Sequence, residues 1–313
     1  MAIALGKASP PVGFKINQRY KDRIMKKIIS AAVAALGIAV SIPASAIAVG
    51  GIDFGTLGAT AHLETSTLAE TLVTGKYVTG SSGPQQTLQG YGLVSSVNGA
   101  SSYCAGGGTC YLYYYFHDYT VSAFNGSQVQ FTGGIVDLYY SAGAALNLLN
   151  QNSPTNITSI TGMTKWVELT GHTFKDPTFV YPLMGPTQTL NGNGTLTGGT
   201  LSENGAGLLD VKPGFGLDPS VAAYLNGKSI PDGLGGFADI ALTSSSNNFV
   251  LNPHDVTDGL ATGCGDGTAK AGAWCLQGTL NTRGATVVPE PASLALLGLG
   301  LFGLGIARRA KRS

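Results

Sequence analysis

The sequence predicts an all-β protein: a single antiparallel, jelly-roll-like β-sandwich with one apolar helix at each end of the chain. Three observations lead there. Glycine accounts for 46 of 313 residues, and the middle of the chain is rich in Thr, Ser and Asn but poor in the residues that fill helix surfaces. Apolar residues there alternate with polar ones, in runs about 8–12 residues apart with turn residues between them. Charged residues make up 11% of the chain and hydrophobic ones 43%, enough apolar material to bury a core.

In chain order, residues 1–24 are basic and aperiodic and read as an extension ahead of the true start. Met25-Lys26-Lys27 then gives a compact positive start, Ile28 to Ile42 a continuous apolar run, and Pro43-Ala44-Ser45-Ala46-Ile47-Ala48 two overlapping small-x-small cleavage sites. That order is a secretory signal peptide over residues 25–48. It brings in the Sec translocon and signal peptidase as partners.

The exported domain is expected over residues 49–287. Strand signals fall on Leu68 to Val78, Leu88 to Val97 and Cys110 to Val121, the last reading CYLYYYFHDYTV and the strongest of all. Glycines at 126, 133 and 134 separate two further candidates, Val129 to Phe131 and Ile135 to Tyr140. More follow at Ala144 to Leu149, Lys165 to Phe174, Thr178 to Leu183, Thr187 to Leu190, Gly194 to Leu201, Ala206 to Val211, Phe237 to Thr243 and Cys275 to Asn281. The Asn-Gly and Gly-Gly steps between Thr187 and Gly207 predict tight hairpins. One short helix is signalled, from Pro219 to Tyr224, with Asp218 as its cap and proline at its first position.

Residues 288–313 close the chain. Val288-Pro289-Glu290-Pro291 precedes an apolar run from Ala292 to Ala307, and Arg308, Arg309, Lys311 and Arg312 follow. As a helix the run spans about 24 Å, slightly less than the roughly 30 Å hydrocarbon core, and bilayer thinning and long arginine stems cover the difference. The basic cluster stays cytoplasmic and stops transfer, so the helix sits transiently in the inner membrane. Two prolines hold the strip before it extended, beside the outer face of the bilayer.

The formal charge of +1 conceals an asymmetry. Between Val49 and Val288 there are seven basic and fifteen acidic residues, a net charge of −8. Such a domain has no electrostatic footprint for nucleic acid, and that class is excluded.

Four cysteines form two local pairs, Cys104 with Cys110 and Cys264 with Cys275, each flanking a glycine-rich loop. In an exported chain, parity and spacing favour two disulfides over zinc or free thiols, since neither pair has zinc-knuckle spacing and no histidine sits at a matching offset. Loops this short constrain the unfolded chain by only about 2–3 kcal/mol each.

No catalytic constellation emerges. There is no Gly-x-Ser-x-Gly elbow, and His62, His117, His172 and His254 are scattered. His117 and Asp118 are adjacent on a strand, which directs them to opposite faces. Asp255, Asp258 and Asp266 sit in a glycine-rich loop with oxygen donors for calcium, but their spacing departs from the EF-hand pattern, and no metal or cofactor is assigned. In the tyrosine-rich strand, Tyr111, Tyr113, Tyr115 and Tyr119 share one face and Tyr114 and Phe116 the other. Such a row stacks on sugars or forms a packed centre, and burial is the commoner fate.

The order Pro289-Glu290-Pro291, glycine-rich apolar helix and terminal arginine cluster resembles the PEP-CTERM sorting domain of Gram-negative bacteria that make extracellular polysaccharide. The resemblance implies an exosortase that cleaves near the Pro-Glu-Pro and passes the mature protein outward. Three internal segments, LAETLVTGKYVTG (Leu68 to Gly80), LYYYF (Leu112 to Phe116) and GFADIALTS (Gly236 to Ser244), are similar to flocculation-associated PEP-CTERM proteins. Where an acidic residue is expected after Tyr77-Val78, this sequence has Thr79.

Together these readings give a non-enzymatic protein exported to the cell surface or extracellular matrix, acting structurally or adhesively in flocs or biofilm with exopolysaccharide. A carbohydrate-binding module with a specific glycan ligand is the alternative, and a secreted hydrolase a third class.

Overall fold

Long strands dominate the computed structural model, which describes residues 46–56, 60–73, 87–124, 128–148, 152–175, 188–197, 200–247 and 276–287. A two-residue hairpin, β1 (Ala48–Val49) and β2 (Ile52–Asp53), comes first, then β3 (Thr60–Val73), β4 (Thr87–Val97), β5 (Tyr111–Phe124) and β6 (Gln128–Ser141). Helix α1 (Ser153–Thr161) leads to β7 (Thr164–His172), β8 (Leu190–Thr197) and β9 (Thr200–Val211). Helix α2 (Pro219–Leu225), a small hairpin of β10 (Ile230–Pro231) and β11 (Phe237–Ala238), then β12 (Ile240–Asn247) and β13 (Leu276–Ala285) complete the order.

The expected sandwich is not what these strands build. β13 pairs antiparallel with β3, and β12 pairs with both β13 and β9, so the sheet closes into an eight-stranded barrel. Around the wall the order is β3, β4, β5, β6, β7 with β8, β9, β12, β13, and every neighbour is antiparallel. β7 and β8 share one position: the former pairs with β6 over Ile135–Tyr140, the latter over Gln128–Phe131, and both pair with β9. A sandwich and an up-and-down barrel alternate inward and outward residues with the same period; they differ in whether the edge strands meet.

The barrel is filled. Leu63, Val94, Leu112, Tyr114, Phe116, Val136, Leu138, Leu169, Leu209, Ile240, Leu242 and Leu280 are all buried in one cluster, as a small barrel's interior demands. Room for the rings comes from β4, where Gly92 pairs with Tyr114 and Gly90 with Phe116. At the β9–β12 seam Asp239, 1% exposed, accepts hydrogen bonds from the amides of Val211 and Lys228, both at 2.9 Å.

One end is closed by the amino-terminal hairpin and α2. The Gly50-Gly51 turn has φ of +55° and +83°, and Gly50 O accepts from Trp166 Nε1 at 2.9 Å. Phe54 stacks on Trp166 at 6.3 Å and tilts against Tyr224 of α2 at 4.7 Å. The predicted cap is present: Asp218 Oδ1 accepts from Ser220 N at 2.8 Å.

Helix α1, which carries no strong periodic signal, lies outside the wall. It covers a second cluster of Tyr91, Tyr113, Tyr139, Leu148 and Ile160. Asn152 Oδ1 caps it by accepting from Thr155 N at 2.9 Å. The strand expected over Ala144 to Leu149 is instead irregular chain through Leu148. No helix among the described residues is long and apolar enough to cross a membrane; the run expected to do so, 292–307, lies outside the described residues, as does the signal-peptide run 28–42.

Candidate functional site

Residues Gly133-Gly134, expected as a break between two strands, lie inside the continuous β6 with φ of +74° and +93°. Opposite them in β5, Asp118 has φ +61°, and β5 carries an extra residue against β4 between Phe116 and Tyr119. This double kink corrects the sequence reading twice. Tyr119 turns into the barrel beside Tyr114 and Phe116 instead of staying with Tyr111, Tyr113 and Tyr115, and its ring covers Gly134. Asp118, freed from strict alternation, reaches back so that its Oδ2 lies 2.8 Å from Nδ1 of its neighbour His117.

The tyrosine row is therefore packing. Tyr113 is fully buried beneath the α1 cluster, and its hydroxyl accepts from Leu146 N at 2.8 Å. Burial pushes the Tyr114 and Tyr119 phenols far above their usual range. Tyr115 is half-buried and stacks on the His117 ring at 4.7 Å.

A charged ladder crosses the outer wall beside it. Lys165 Nζ lies 2.8 Å from Asp137 Oδ1 and 2.7 Å from Glu168 Oε2, while Lys212 Nζ lies 2.6 Å from Glu168 Oε1. Tyr139 donates to Asp137 Oδ2 at 3.1 Å. Burial alone would raise both carboxyl groups, but His117 and Lys165 around Asp137, and the two lysines around Glu168, lower them instead. These contacts tie β5, β6, β7 and the end of β9 together across the outer wall.

His172 ends β7. Its Nδ1 is 2.7 Å from Asp210 Oδ2 and its Nε2 is 3.2 Å from Asp232 Oδ2. Burial would depress the imidazole, and the two carboxylates outweigh it and raise its pKa. Asp232 is held low first by the amide of Leu234, which donates to its Oδ1 at 2.6 Å. Both ring nitrogens are thus consumed in clamping the β10–β11 hairpin to the barrel.

A cleft of about 540 Å³ lies beside the closed end. Asp53, Thr60, His62, Asn98, Ser102 and Arg283 line it. Arg283 Nη2 approaches His62 Nε2 at 3.4 Å; burial and the guanidinium together lower the His62 pKa and hold the ring neutral. Asn98, with φ +50°, fixes the wall by donating from Nδ2 to Phe54 O at 2.8 Å and Thr60 O at 2.9 Å. The cleft presents the Arg283 cation, the Asp53 carboxylate and neutral polar groups, a mixed surface suited to a hydroxyl-rich ligand. Sequence reasoning missed it because its residues come from four separated segments.

Of the expected disulfides, Cys104–Cys110 is formed, with Cα atoms 5.6 Å apart. Cys264 and Cys275 lie outside the described residues, as do His254, Asp255, Asp258 and Asp266. Among the described residues no group of three metal-ligating side chains comes together. Pro289, Glu290 and Pro291 and the basic stop Arg308, Arg309, Lys311 and Arg312 also fall outside them. For that end comparison decides: residues 287–312 match the model of the PEP-CTERM protein-sorting motif. The chain carries a PEP-CTERM sorting domain. A PEP-CTERM protein is an exosortase target, exported and directed to the surface. The matched span takes in the Pro-Glu-Pro and the terminal basic residues. No curated protein and no solved structure matches the barrel of this PEP-CTERM protein.

Proposed function

We propose that the barrel is the non-enzymatic cargo of this sorting route, carried through the inner membrane by way of a transient carboxy-terminal anchor and deployed at the cell surface or in the extracellular matrix. There it acts structurally or adhesively in flocs or biofilm, in company with exopolysaccharide. The sorting motif at residues 287–312 carries this reading. A filled barrel interior, with Asp137 and Glu168 on the outer wall paired to lysines, is in keeping with it. Deletion of the gene in its own host, scored for settling of the cells and for protein in the polymer fraction, tests it. Reduced aggregation is expected; unchanged settling removes the matrix role and leaves export untouched.

The Arg283 cleft favours a second reading, a module with a defined glycan ligand. A glycan array probed with the exported protein separates the two. Saturable binding lost in Arg283→Ala supports the module, and no binding at millimolar sugar counts against it.

A further inference from the structure

The two overlapping cleavage sites of the signal peptide differ by two residues, and side-chain size at the cut does not choose between them. Ala44-Ser45-Ala46 directs cleavage before Ile47; Ala46-Ile47-Ala48 directs it before Val49. The folded barrel treats the two products very differently.

Ile47 belongs to the barrel. Its amide donates to Gly55 O at 3.0 Å, its carbonyl accepts from Phe54 N at 2.8 Å, and its side chain packs against the main core. Ala48 follows in register with Asp53, and Val49 with Ile52, so that the Gly50-Gly51 turn reaches Trp166. Phe54 is only 1% exposed. A chain that began at Val49 would leave the Phe54 amide buried without its acceptor, strip β2 of half its pairing and uncover the core where Ile47 lies. A chain that begins at Ile47 loses nothing: its new ammonium still donates to Gly55 O, and Ala46, which is exposed, is the residue removed.

We infer that signal peptidase cuts the Ala46–Ile47 bond, and that the mature protein begins with the residue that seals the barrel's end. Water adds across that bond, its hydroxyl going to the Ala46 carbonyl and its proton to the Ile47 nitrogen; the new Ala46 carboxylic acid then gives up its proton and the released amine takes one up, leaving a carboxylate and the mature ammonium. The signal peptide then ends two residues before the outer limit that the sequence allows. This inference rests on the export reading.

The test is amino-terminal sequencing and intact mass of the protein exported by a Sec-competent Gram-negative host expressing the full chain. Ile47 at the amino terminus is the expected result, and Val49 overturns the inference. An intact terminus at Met1 or Met25 instead overturns the signal peptide reading itself. Ala48→Leu destroys the second site alone, at an exposed position. Processing to Ile47 should persist in that variant, and loss of processing would show that the second site is the one used.

Discussion

The hydroxyl of Tyr114 meets Thr282 Oγ1 at 2.8 Å inside the barrel, joining two strands separated by 168 residues of chain. Tyr114 is fully buried and Thr282 is 1% exposed. Tyr114→Phe strands the threonine hydroxyl away from water, at a cost of about 1–3 kcal/mol. Thermal unfolding should show a lower Tm for Tyr114→Phe and for Thr282→Val alone, with the double variant losing less than their sum.

The kink in β6 is tuned to glycine at residue 134, where φ is +93° and the Tyr119 ring covers the position a β-carbon would take. Gly134→Ala combines backbone strain with overpacking, together about 2–4 kcal/mol. Chemical denaturation should place its midpoint well below wild type. Gly99→Ala, also at positive φ but facing open space, serves as the control with the smaller loss.

The His172 clamp makes stability depend on pH. Its folded pKa lies above the ordinary 6.5, so the stability gained from Asp210 and Asp232 is fully present below that value and is lost as pH rises through the raised pKa. The Tm gap between wild type and His172→Gln should therefore be widest in mildly acidic buffer and should narrow toward alkaline pH. A gap independent of pH would refute the assignment.

Cys104–Cys110 staples the link between β4 and β5, whose Ala105 amide donates to Gly51 O at 2.9 Å. Removing the bond by Cys104→Ala with Cys110→Ala should cost about 2 kcal/mol, given the shortness of the loop. Far-ultraviolet circular dichroism should retain the β spectrum while the melting curve shifts down.

At the sorting segment, Glu290→Ala should yield a longer species that stays with the membrane fraction, visible by immunoblot against the released wild-type form. Normal release of the variant would show that this glutamate is not read.

Much of this molecule is legible in its sequence, though unevenly. Alternation marks β4, β5 and β7 closely, and Asp218-Pro219 announces α2. The closure does not show, because pairing of β13 with β3 joins residues more than two hundred positions apart and leaves no local trace. The kink at Asp118 and Gly133-Gly134 is hidden for a different reason: paired glycines in a β pattern signal a turn as readily as a bulge. α1 is obscured by its β-branched residues, and only Asn152-Ser153-Pro154 hints at its start. The sorting segment is the reverse case, readable in full from the order of three short features. The Arg283 cleft is an accident of topology in sequence terms, since Arg283 joins the lining residues between Asp53 and Ser102 only once β13 has paired with β3.

Ile47 and Val287 leave the barrel at the same rim: the Val287 amide is bonded to Tyr224 O at 2.8 Å, and Tyr224 touches Phe54. Any tension on the tail therefore enters through β13, which has eight partners on β12 and eight on β3. A pull along the axis against something gripping the far rim shears both ladders at once instead of peeling one rung at a time. In single-molecule stretching between residue 287 and that rim, the molecule should yield in one high-force event, the mechanical character of a rivet and not of a zip.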